Sequence, residues 1–141
     1  MNRSILNFAK HYAEMVLVMF AGMGVFFGVA VAVAAAVGSS YGELRDDAPA
    51  LVLFGMGLGM TAAMVWWMAR RGHSRAANRA MALSMILPTV LVLALLASGA
   101  MTNLDDLVTL EHVVMFPAML VAMLLYRTEF THGHRNAHAT A

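Results

Sequence analysis

The residues with the most evident chemical potential are methionines, and their spacing is helical. The stretch GMGLGMTAAMVWWM sets Met56, Met60, Met64 and Met68 four residues apart. Further rows run through Met15, Met19 and Met23, through Met81 and Met85, and through Met115, Met119 and Met123. Residues four apart sit one above another on a helix, so each row is a stripe of thioethers. Thioether sulfur is a soft donor that selects Cu(I). A ladder of weak sites, each close to the next, is what ion conduction through a membrane requires. Packing explains the same rows, because methionine is a pliable filler that favours aromatic neighbours such as Trp66, Trp67 and Phe116. The candidate soft-metal ligands are Met19, Met56, Met60, Met64, Met115 and Met119.

Two kinds of ionisable residue extend that reading. Glu111 and His112 interrupt an otherwise apolar stretch, and His112, Met115 and Met119 follow at three- and four-residue steps. Ionisable groups inside a membrane span are costly and functional by default, so the pair is placed to collect a cation or relay a proton. The alternative is a shallow, hydrated position in which Glu111 only favours a helix N-terminus. His132 and His134, in HGHRNAH, form a short histidine tract of the kind that binds metal. Glu14 is expected to pair with Arg70, Arg71 or Arg79, or else to serve as a proton-coupling carboxylate. With no cysteine, disulfides and thiolate sites are excluded. No serine–histidine pair, paired aspartates or HExxH motif appears in a span, and a two-histidine haem would need a second intramembrane histidine. The chain is not expected to be an enzyme.

The elements that position these residues follow from composition. Of 141 residues, 61% are hydrophobic and 12% charged, against roughly 25% charged in an average soluble domain. A membrane helix needs about 20 apolar residues, and four stretches qualify, at about 13–38, 49–69, 79–102 and 106–127. Backbone groups in lipid must be satisfied internally, and the stretches lack the alternation of barrel strands, so each is a helix. The first is longer than a signal-peptide core and is expected to be retained. The fold class is all-α, an integral membrane four-helix bundle over residues 1–128, with a polar histidine-bearing tail over 129–141. Eight of the nine basic residues precede the first helix, lie between the second and third, or follow the fourth. By the positive-inside rule both termini are cytoplasmic.

Finer expectations concern helix ends and faces. NRSILNFAKHYAE reads as a short interfacial helix. Asp47 followed by Pro49, and Asn103 with Asp105 and Asp106, read as helix starts. Pro88 and Pro117 lie inside helices and should kink or open them. Gly24 with Gly28, and Gly55 with Gly59, form small-xxx-small faces for close helix packing, within the chain or between copies.

Two resemblances add to this. The MxxxM rows with Gly55, Gly59 and the tail histidines resemble the ingredients of the eukaryotic Ctr copper transporters, which implies Cu(I) passing stacked methionines, with Met56 and Met60 in that role. This chain departs in having four helices, a cytoplasmic N-terminus and no methionine-rich outer domain. EHVVMFPAMLVAMLLYRTEFTHGH resembles the closing segment of small four-helix bacterial membrane proteins of unknown function, loosely labelled flagellar biosynthesis proteins; the likeness implies fold and bacterial origin. Arginine-, alanine- and valine-rich usage also fits a bacterial chain. The expectation is a multi-pass protein of the bacterial inner membrane that binds and passes Cu(I) along its methionine rows. The alternative is a non-catalytic accessory or scaffold subunit. Lipid and a homo-oligomer or larger membrane complex are the expected partners, and nucleic acid is not.

Overall fold

The computed structural model describes residues 3–128. Five helices and no strand occur among the described residues: α1 (Arg3–Ala36), α2 (Tyr41–Asp47), α3 (Pro49–Arg70), α4 (Arg75–Ala97) and α5 (Leu104–Leu125). All but α2 are long and apolar enough to cross a membrane. Large apolar side chains such as Leu17, Val25, Val113 and Leu125 stand on their outer faces, where lipid rather than water is the matching solvent.

α1 corrects the expected interfacial segment. Its 34 residues run without a break, about 51 Å at the usual helical rise, well beyond an apolar layer of about 30 Å. No glycine or proline precedes Gly22 after the start of the helix, so nothing in ILNFAKHYAEM stops it. At the far end Gly38 takes φ 75°, and Ser39 N–H donates to Ala34 O at 2.9 Å. α3 and α4 close alike, with Gly72 and Gly99 in the left-handed region and backbone bonds from His73 to Met68 O and from Ala100 to Leu95 O. Each of these turns satisfies carbonyls that the helix end leaves open.

α2 lies where the sequence reads as a loop. Ser40 Oγ accepts from Glu43 N–H, and Glu43 Oε2 accepts from Ser40 N–H at 2.8 Å. This reciprocal pair is a capping box, which satisfies two open donors at once. Asp47 ends α2 instead of capping α3; the residue before α3 is Ala48, with no side-chain cap, and Pro49 fills the first turn. α4 begins at Arg75 on a Ser74 cap, earlier than expected, and ends at Ala97. Asn103 caps α5 as expected. Both helices continue through Pro88 and Pro117.

α1 packs on α3, α3 on α4, and α4 on α5. Tyr12 O–H donates to Phe116 O at 3.4 Å and ties the first helix to the last. Glycine lets α1 and α3 approach. A Cβ on Gly22 would fall 2.7 Å from Ala63 Cβ and 2.9 Å from Gly59 O, and one on Gly55 would strike the Phe26 ring. Gly24 and Gly28 meet nothing within 4 Å and take no part in packing within the chain. Arg71 donates to Glu14 at 2.9 Å, so the start of α1 and the α3–α4 turn share one end of the molecule. That end carries Arg3, Lys10, Arg70, Arg71, Arg75 and Arg79, whereas the other end carries Glu43, Asp46, Asp47, Asp105 and Asp106.

Candidate functional site

All four long helices turn their methionines inward. Met15, Met19, Met56, Met60, Met64, Met68, Met81, Met85, Met115, Met119 and Met123 form one buried cluster with Ala77 and Ala122, and Met23 packs against it. Every cluster methionine is fully buried except Met56, at 7% exposure. The six methionines proposed from sequence are therefore brought together, and Met15, Met68, Met81, Met85 and Met123 join them. Met101 belongs to a smaller cluster around Leu53, Val92 and Leu107. A row repeating every fourth residue is one stripe on its helix, and here the stripes of α1, α3, α4 and α5 share a core.

A carboxyl group heads this core. Glu111 is fully buried within the chain, unlike the hydrated carboxylate of the alternative. Thr89 Oγ1 donates to Glu111 Oε1 at 2.5 Å and lies 3.2 Å from Met85 O. Glu111 Oε2 is buried with no hydrogen-bond partner among the described residues. Gly57 makes the room, because a Cβ there would collide with Thr89 Oγ1 and Cγ2 and fall 3.0 Å from Glu111 Oε1. Thr61 Oγ1 donates to Gly57 O at 2.7 Å and holds the adjoining turn of α3.

The methionine rows are in register with this contact. From Gly57 the next inward methionine on α3 is Met60; from Thr89 on α4 it is Met85; from Glu111 on α5 it is Met115. Each lies one helical turn, three or four residues, toward the basic end, and the rows continue from there to Met68, Met81 and Met123. The polar contact and the thioether column are thus consecutive layers of one interior.

His112 is half-buried. Its Nδ1 lies 2.7 Å from Val108 O, which makes Nδ1–H the donor to that carbonyl and leaves Nε2 as an acceptor or ligand. Nε2 is buried with no hydrogen-bond partner among the described residues. Adjacent in sequence, Glu111 and His112 suggest one collecting pair; the fold gives Glu111 the core and His112 its flank.

At the basic end the column meets a second polar group. Met68 O lies 3.2 Å from His73 Nδ1, the His73 and His11 rings are 5.0 Å apart, and His11 Nδ1 lies 3.8 Å from Glu14 Oε2. Arg71 completes the ion pair with Glu14 and covers Trp67, while Arg70 covers Trp66 at 4.4 Å. Of the candidate arginines for Glu14, the fold selects Arg71. His11 and His73 mean little singly in the sequence, and only the α1–α3 pairing unites them. His132 and His134 lie outside the described residues.

At the acidic end, Arg45 of α2 pairs with Asp105 in the first turn of α5. Beside this pair, Gly42, Asp46, Pro49 and Asn103 line an open cleft of about 390 Å³. Glu43, in the α2 cap, is held below the usual carboxylate range by the Ser40 backbone N–H and then by the Ser39 hydroxyl. No group of three or more histidine, aspartate or glutamate side chains among the described residues has metal-holding geometry.

No protein-family model, curated protein or solved structure matches the chain.

Proposed function

We propose that this protein binds a soft monovalent metal cation, Cu(I) in the first instance, and passes it along the methionine column between the two faces of a membrane. One observation carries the reading: the methionine stripes of four helices meet in a single buried cluster within one chain. Leucine packs a membrane interior without sulfur, whereas thioethers add soft donors at successive turns. Cu(I) is the cargo of the path and not a resident cofactor. Glu111 and His112 stand at the acidic, outward end, and His11 and His73 at the basic, cytoplasmic end. This orientation follows the positive-inside rule and gives N-in, C-in topology in a bacterial inner membrane. The deciding experiment is Cu(I) stoichiometry of the detergent-purified protein under reducing conditions, beside the Met60→Leu/Met119→Leu double variant. Tight binding lost in the variant supports the path; equal binding in both removes it.

A second reading, a non-catalytic scaffold or accessory subunit, draws on α1. Gly24 and Gly28 have open space beside them, the arrangement that close packing against another membrane helix uses. Cross-linking in native membranes, with and without Gly24→Leu, tests it: loss of an adduct in the variant favours this reading, and absence of any adduct counts against it.

A further inference from the structure

We propose that the first position of the column is a specific site for one monovalent soft cation, built from the Glu111 carboxylate and the thioethers of Met60, Met85 and Met115. The inference rests on the soft-cation reading and deepens it by naming the donors and the charge of the cargo.

Three observations converge on this position. Gly57, Thr89 and Glu111 meet at one point between α3, α4 and α5. The three methionines each follow that point by one turn on their own helix, all within the same buried cluster. The carboxylate already gives one oxygen to Thr89, while Oε2 is fully buried and without a hydrogen-bond partner among the described residues. A buried oxygen with nothing to accept from is costly unless a donor or cation completes it.

Charge sets the class of ion. α1 carries its charged and histidine residues at Arg3, Lys10, His11 and Glu14, α3 at Arg70, and α4 at Arg75 and Arg79. All of these belong to the basic end, and Asp105 and Asp106 of α5 to the acidic end, so among the described residues Glu111 supplies the one formal charge buried in the core, with His112 beside it on α5. A single carboxylate neutralises a single positive charge. A divalent ion would leave net charge in a dry apolar interior, which is strongly unfavourable. Softness makes the second cut, since three thioethers against one oxygen favour Cu(I) and Ag(I), whereas Na⁺ and K⁺ take oxygen donors.

The test uses Ag⁺, a redox-inert probe of the same charge and softness, with the full-length protein in detergent at one fixed neutral pH. Calorimetric titration and silver-edge X-ray absorption are expected to give a site with sulfur donors and one oxygen. Glu111→Gln keeps the shape and the Thr89 bond, and is expected to weaken that site at least tenfold and to remove the oxygen donor. Met85→Leu or Met115→Leu should weaken it comparably without loss of fold, and Met101→Leu, which packs on the separate cluster around Leu53, Val92 and Leu107, should leave it within twofold. Excess Zn²⁺ or Na⁺ should not compete. Ag⁺ binding that is lost in Met60→Leu/Met119→Leu but unchanged in Glu111→Gln overturns the site while leaving the methionine path standing. Absence of Ag⁺ binding to the unaltered protein, or binding indifferent to the methionines, overturns both.

Discussion

Thr89 on α4 donates a 2.5 Å hydrogen bond to Glu111 on α5, and both side chains press against the bare backbone of Gly57 on α3. A contact that joins three helices around a buried carboxyl has an energetic consequence before any chemistry. Thr89 is the one hydrogen-bond donor to that carboxyl among the described residues, and valine has the same shape without the hydroxyl. Thr89→Val is therefore expected to destabilise the fold by about 1–3 kcal/mol, the usual cost of leaving a buried polar group unpaired. Thr89→Ser should be much milder. Unfolding of the detergent-solubilised protein by sodium dodecyl sulfate reads the difference.

The glycines divide into two groups, and substitution separates them. Gly22→Ala forces a methyl group within 3 Å of Ala63 Cβ and of the Gly59 carbonyl, and Gly57→Ala forces one into Thr89. Overpacking of this kind costs about 1–3 kcal/mol. Gly24→Ala and Gly28→Ala meet open space, and alanine's better helix propensity offsets any loss, so each should stay within about 0.5 kcal/mol. The same unfolding assay, run on all four variants, checks the ranking; equal effects at Gly22 and Gly24 would show that α1 is not packed as described.

How much of this was legible in the sequence depends on what each pattern encodes. Four long apolar runs specify four long helices, because lipid leaves the backbone no alternative. A four-residue repeat says that Met56, Met60, Met64 and Met68 share a face, but not whether that face looks at lipid or at protein. The answer lies in how the other helices dock on α3, above all at Gly55, Gly59 and Ala63, which bring α1 onto it. Glu111 was legible as an intramembrane carboxyl but not as a buried one. Position along a helix gives depth, while burial depends on rotation, and the space that admits Glu111 comes from an absent side chain at Gly57, distant in sequence. Gly24 and Gly28 satisfied the same small-residue motif as Gly55 and Gly59, yet they lie on the open side of α1, because a motif carries no address for its partner. The α2 helix was missed although Ser40 and Glu43 carry the capping-box spacing; a run of charged residues between spans reads as loop unless that spacing is weighed.

Glu43 gives that missed helix a measurable signature. Its carboxylate accepts from the Ser40 backbone N–H and the Ser39 hydroxyl, and these bonds hold it below the usual range. For a carboxyl depressed on folding, the stabilisation is fully present above the unfolded-state pKa and is lost as pH falls through the folded-state value. The α2 cap should therefore be constant at neutral pH and weaken only in acid, below the ordinary glutamate titration. Carboxyl ¹³C shifts followed against pH give the midpoint directly. Ser39→Ala should move it upward part of the way, because the backbone bond from Ser40 remains.

Whether the methionines act by bulk or by sulfur is the question that substitution in the middle of the column answers. Met64 on α3 and Met119 on α5 are fully buried in the same cluster. Leucine is close to methionine in volume, so Met64→Leu and Met119→Leu should each cost less than about 1.5 kcal/mol. Alanine removes several methylene-sized groups and leaves a void, at about 2–5 kcal/mol. Stability thus follows volume, with leucine near the parent and alanine far below. Binding follows sulfur, so under the proposed function leucine and alanine variants should weaken the mid-column affinity for Ag⁺ or Cu(I) alike despite their different stabilities, while the first site at Glu111 remains. Plotting affinity against unfolding free energy for the four variants separates the two causes. Two clusters at equally reduced affinity and unequal stability mark the thioethers as ligands. An affinity that falls in proportion to stability, with the leucine variants near the parent, would reduce the column to a packing device.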